Sequence, residues 1–176
     1  MPISLDASNT ALLVIDVQNG LFSKTTPIYK AEDLLGNINT LSKQFSQAGK
    51  PVFFIQHSNQ NLLLRESENW QIHPKLNITH KDIVIHKTHG NAFEGTNLKA
   101  ELDQRGIECL LVTGLVTNGC VRATCIGACE LGYRVVLVED GHSTYIRNAS
   151  KVINEWNRKL GDGIVELYPT ASIMIN

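Results

Sequence analysis

Cysteine is scarce and oddly placed in this chain: four residues, all between Cys109 and Cys129, with no Cys-x-x-Cys pair. A secreted disulfide framework would spread its cysteines to staple distant segments, and structural zinc sites use tighter pairs. Reduced thiols and no metal are therefore expected. An excess of either charge is also missing. The 16 Lys and Arg nearly balance the 17 Asp and Glu and are scattered, which leaves no basic footprint for nucleic acid and no polybasic patch for a membrane. No apolar run approaches a bilayer span, and Met1 to Asn9 lacks the charged-then-apolar layout of a signal peptide, so a cytoplasmic protein is expected. No glycine-rich phosphate loop follows the first apolar run, which disfavours a dinucleotide-binding domain. What remains is 176 residues, 43% hydrophobic, enough for a single domain over residues 1–176 with a sizeable core.

Two periodicities alternate along that length. Continuous apolar runs at Ala11 to Ile15, Val52 to Ile55, Ile83 to His86, Ile107 to Thr113, Arg134 to Val138 and Ile164 to Tyr168 predict six strands. Between them, Ala31 to Ala48 carries Leu34, Leu35, Ile38, Leu41 and Phe45 at helical spacing. Asn97 to Gln104, Asn118 to Leu131 and Ala149 to Leu160 complete the helices, several closed by glycine. Apolar strands separated by amphipathic helices predict an α/β, doubly wound, Rossmann-like fold: a six-stranded, mostly parallel sheet with helices on both faces. Ser58 to Lys81 is too long for an ordinary connection and is expected to be a binding loop, a lid or a subunit contact.

Ligands of open parallel sheets bind beyond the carboxyl ends of the strands. On this strand assignment Asp16 ends the first strand, Gln56 and His57 the second and Lys87 the third, and the fourth leads through VTGLVTNGC to Cys120. An acid, an amine and a thiol thus converge on one edge. Cys120 is placed where the next helix should begin, and unsatisfied helix N–H groups there favour thiolate and can cradle an oxyanion. A thiolate attacks carbonyl carbon if one group takes the S–H proton and returns it to the leaving amine, which Asp16 could do. Lys87 would stabilise both anions, and N–H groups near Val116 and Cys120 would hold the carbonyl oxygen.

Four segments in order, LLVIDVQNGLF (Leu12 to Phe22), WQIHPKL (Trp70 to Leu76), KTHGNAFEGTNL (Lys87 to Leu98) and VTGLVTNGCVRATCIGACELGYRVVLVEDG (Val112 to Gly141), resemble the isochorismatase-like cysteine hydrolases, which include nicotinamidases and N-carbamoylsarcosine amidases. The resemblance implies a Cys-Asp-Lys triad at Asp16, Lys87 and Cys120, a cis Leu115–Val116 peptide, an oxyanion hole from Val116 and Cys120, and a homo-oligomer acting on a small molecule. Nicotinamidases hold a metal through an Asp-x-His pair, and here that stretch reads QHSNQ, with His57 and Asn59 nearest. His57 and His73 without a placed carboxylate make a poor metal site, so none is expected. Asn91 stands where many members have serine.

Substrate contact is expected from Gln18, Phe22, His57, Trp70, Phe93, Leu115 and Thr117. Phe22, Trp70 and Phe93 could equally be core. His86, His89 and His142 read as surface or structural, Asp140 as a brace for its loop, and Cys109, Cys125 and Cys129 as inert core. No cofactor is implied. Two rival readings share these residues: a non-catalytic binding protein on the same fold, and a thiol redox protein pairing Cys120 with Cys125 or Cys129, whose spacing on one helix suits a disulfide badly.

Overall fold

The computed structural model describes residues 1–176. Strands β1 (Ile3–Leu5), β2 (Thr10–Ile15), β3 (Phe53–His57), β4 (Ile83–Lys87), β5 (Cys109–Leu115), β6 (Arg134–Ser143), β7 (Glu166–Tyr168) and β8 (Ile173–Ile175) alternate with helices α1 (Asn19–Phe22), α2 (Ala31–Gln47), α3 (Leu98–Asp103), α4 (Arg122–Glu130) and α5 (Ala149–Gly161). Six strands form one sheet in the order β4-β3-β2-β5-β6-β7, and every pairing is parallel. The predicted strands are all present. The sequence reading missed α1 and the β1–β8 pair, elements of only three or four residues, too short for a periodic signal.

Side-chain alternation divides the core. Leu12 and Val14 of β2, Leu111 of β5 and Val136 and Val138 of β6 pack under α2, with Leu34, Ile38, Leu41 and Phe45 facing them. Ala11, Leu13, Ile15, Leu110, Val112, Val135 and Leu137 point to the opposite face, against Leu98 and Leu102 of α3 and Val121, Cys125 and Ala128 at α4. Both faces of the central strands are therefore apolar, which is why they read as unbroken hydrophobic runs.

Strand order reverses between β2 and β5: β3 and β4 continue to one side of β2, β6 and β7 to the other side of β5. Connections leaving these two carboxyl ends diverge and open a crevice. The approach there is close. Gly114 has φ 117° and a Cβ on it would overlap the Ile15 carbonyl, so only glycine fits. Next to it Asp16 holds φ 53°, turning its carboxylate out of the strand line. No helix is long and apolar enough to cross a membrane.

The segment Ser58 to Lys81 is tied down along the chain that leaves β2. Asn19 N donates to Gln71 O at 3.0 Å, Gly20 N to Asn69 O at 2.9 Å and His73 N to Val17 O at 2.9 Å, and Gln18 bridges Ile72 in antiparallel fashion.

Candidate active site

Three elements deliver three side chains to the crevice. Asp16 follows β2, Lys87 ends β4, and Cys120 lies on the π-type turn Thr117–Val121 between β5 and α4. Lys87 and Asp16 are 2% and 3% exposed, and Cys120 is half-buried. Lys87 Nζ stands 3.1 Å from Asp16 Oδ2, 3.2 Å from Cys120 Sγ, 2.9 Å from His57 Nδ1 and 3.0 Å from the His89 carbonyl. A buried ammonium is tolerated only where such acceptors replace its hydration, and the carboxylate supplies the compensating charge. Asp16 Oδ1 is buried and has no hydrogen-bond partner.

Burial outweighs the neighbouring cation at both acids. It raises the Asp16 carboxyl above its ordinary value, against the Lys87 charge that opposes the rise. Burial, then the Asp16 charge, push the Cys120 thiol up to about 12, against Lys87. Burial thus favours the neutral thiol at Cys120. Cys120 does lie where the sequence places a helix start, on the π-type turn that runs into α4 at Arg122, but burial there opposes the thiolate that a helix start favours.

The peptide Leu115–Val116 is cis, as the resemblance implied. Val116 N–H donates to no backbone carbonyl, while its own carbonyl accepts from Gly119 and Val121 across the turn.

The remaining expected site residues divide. His57 reaches the centre, with burial and the adjacent Lys87 charge lowering its pKa; the neutral ring accepts from Lys87 through Nδ1 and carries its proton on Nε2. Phe22 is half-buried and its ring lies 4.4 Å from that of His73. Trp70 stacks on His86 at 5.4 Å and donates to Ser58 Oγ at 2.9 Å, so its ring lies along the outside of β4. Phe93 stacks on Tyr133 at 5.7 Å, on the face carrying α3 and α4. Gln18, Leu115 and Thr117 are at most 1% exposed, as deeply buried as Asp16 and Lys87. Gln18 spends its amide on the His57 N–H and carbonyl and the Trp70 carbonyl, tying the long segment to β3. Cys129 is also corrected: it is half-buried, with Sγ 2.9 Å from the Ile164 carbonyl.

Asp16, His57 and Cys120 bring ligand-type atoms within 4.8 Å of one another. They do not fit a metal. The Lys87 ammonium already stands 2.9–3.2 Å from all three, and a divalent ion would share their centre with a fixed positive charge. His73 is engaged elsewhere, at Phe22 and the Lys75 N–H. A cavity of about 450 Å³ between α2, β6 and α5 is lined by none of the three triad residues.

The isochorismatase domain model matches residues 10–155, spanning all three of these side chains. The chain belongs to the isochorismatase family. The isochorismatase family protein YecD of Escherichia coli O157:H7 is 33% identical over 156 residues, covering 80% of this chain and 83% of that one. A streptothricin hydrolase of Streptomyces noursei is 34% identical over 137 residues, covering 77% of this chain but 50% of its own length. The ureidoacrylate amidohydrolase RutB of Variovorax paradoxus strain S110 is 27% identical over 177 residues, 79% of this chain and 70% of that one. Among solved structures, an isochorismatase family protein superposes with a TM-score of 0.87 at 31% identity, covering 91% of this chain and 98% of its own. The protein is accordingly an isochorismatase-family hydrolase with amidohydrolase relatives that act on C–N bonds.

The sequence reading missed the His89 carbonyl, a backbone group that no side-chain pattern announces, and gave His142 no specific task. Its buried place beside the turn depends on the path of β6.

Proposed function

We propose that this protein is a cysteine-dependent hydrolase that cleaves a C–N bond of a small amide, ureido or carbamoyl compound. The observation that carries the reading is the single ammonium of Lys87 within 3.2 Å of both Asp16 and Cys120. Cys120 Sγ attacks the substrate carbonyl carbon while the thiol proton passes to Asp16, whose Oδ1 is the free acceptor. The raised basicity of that buried carboxylate suits it to the task. Val116 and Cys120 N–H groups receive the developing oxyanion. Asp16 then returns the proton to the leaving nitrogen, the C–N bond breaks, and a thioester remains. Water attacks the thioester, gives its proton to Asp16, and the thiol is regenerated as the C–S bond breaks. Lys87, within 3.2 Å of both, stabilises negative charge as it develops on the sulfur or returns to Asp16.

His57 Nε2–H and Phe22 supply the polar and aromatic contacts of the substrate pocket, and a second copy of the chain completes it. The deciding experiment is ammonia release from a panel of small amides, ureido acids and carbamoyl compounds, with wild type and Cys120→Ala side by side. Turnover by wild type and loss of at least about 1,000-fold in the variant is the expected result. Equal turnover by both proteins overturns the mechanism.

A further inference from the structure

Behind the turn that carries Cys120 stands a polar chain with no part in the triad, buried at Thr117 and His142 and reaching the surface through Asn157 to Glu139. Between Val112 and Gly114 the β5–β6 register jumps, from Val112 opposite Leu137 to Gly114 opposite His142. The extra length of β6 brings His142 beside the end of β5, where it is 3% exposed. Its Nδ1 lies 2.8 Å from Thr117 Oγ1 and its Nε2 lies 2.8 Å from Asn157 Oδ1 on α5. Asn157 Nδ2 in turn donates to the Glu139 carbonyl at 3.4 Å.

The direction of every proton in this chain follows from its ends. The Glu139 carbonyl can only accept, so the Asn157 amide presents its nitrogen there and its oxygen to His142. His142 must then carry its proton on Nε2, which leaves Nδ1 as an acceptor. Thr117 Oγ1–H is thereby committed as a donor. Burial keeps the ring neutral, with its pKa lowered to about 4, so this arrangement holds at neutral pH. Thr117 itself is 1% exposed and immediately follows Val116. One hydroxyl rotamer thus links the first residue of the turn to β6 and α5 at once.

We propose that His142 is a positioning residue: through Thr117 it fixes the turn that presents the Val116 N–H and the Cys120 sulfur to the reacting carbonyl. The inference rests on the hydrolase reading above. The relay touches no substrate and acts only through the placement of the turn, so its removal changes the rate of attack more than ground-state binding.

Thr117→Val keeps the side chain's shape and removes the donor, Thr117→Ser restores it, and Asn157→Leu cuts the far end. For a substrate found in the panel, Thr117→Val is expected to lower kcat by about 100-fold with KM within about two-fold of wild type, as a turn displaced by a fraction of an ångström would do. Thr117→Ser recovers most of kcat, and Asn157→Leu falls between. Circular dichroism at the assay temperature verifies that each variant is folded. A second readout needs no leaving group: a small aldehyde such as benzaldehyde adds to the Cys120 thiol, the S–C bond forming as the thiol proton moves to the aldehyde oxygen. Folded Thr117→Val binds it weakly and Thr117→Ser binds it like wild type. Wild-type kcat and aldehyde affinity in folded Thr117→Val overturn the relay alone. A wild type that neither hydrolyses a C–N bond nor forms the adduct overturns the hydrolase reading and the relay with it.

Discussion

Lys87 concentrates the electrostatics of the site in one atom. Its ammonium is buried and stands within 3.2 Å of both the Asp16 carboxyl and the Cys120 sulfur. Lys87→Met leaves the Asp16 charge buried without a counter-ion and is expected to cost about 3–5 kcal/mol of stability, read as a lowered urea midpoint at pH 7. Asp16→Asn together with Lys87→Met should recover part of that loss, since no lone charge is then buried. A second residue-scale effect belongs to His142. The unfolded chain binds a proton there near pH 6.5, while the folded ring resists until about pH 4. The stabilisation is therefore complete above pH 6.5 and drains away as pH falls towards 4, by up to about 3 kcal/mol. Urea titrations at pH 7 and pH 4.5 should show a smaller difference in His142→Asn than in wild type.

Among the elements, the unit that matters is β5 with its turn and α4. An unbroken apolar run marked β5 in the sequence, and small residues marked the turn. The close packing of Gly114 against Ile15 depends on β2 being its neighbour, a long-range pairing without a local signature. Gly114→Ala forces a Cβ into the Ile15 carbonyl at a φ that alanine resists. An expected loss of about 3 kcal/mol or more, with activity lost among the molecules that still fold, can be checked by urea unfolding and ammonia release. Trp70 makes the same point in reverse. Its place in the long connection suggested pocket lining, but Gln18 and Gln56 hold its backbone carbonyl and the ring lies along His86. Gln18 was legible as a residue at the right edge, while its task became visible only once the Ser58 to Lys81 segment had a path.

At the scale of the whole molecule, that same segment and the strand that follows it leave apolar side chains in water. Leu64 is 52% exposed, Ile78 44%, and Val84 on the edge strand β4 37%. Unpaired edges and such side chains are what a second subunit covers. Sedimentation equilibrium should return a dimer or tetramer of the 19.5 kDa chain, and Leu64→Glu with Ile78→Glu should shift it towards monomer. A monomer in the wild type would remove the inference that a second copy completes the pocket.

Local sequence determined the strands and long helices, because a strand buried on both faces is uniformly apolar and a covering helix has an apolar stripe. It also determined which acid, amine and thiol stand at strand ends, and hence the chemistry available. Tertiary structure decided what those groups are. Desolvation raises the pKa of both Cys120 and Asp16, the ammonium of Lys87 took the centre a metal would need, and the register jump in β6 put His142 behind the turn. Charge state and partnership depend on what surrounds a group in space, and residues separated by 71 positions along the chain meet only when the sheet has formed.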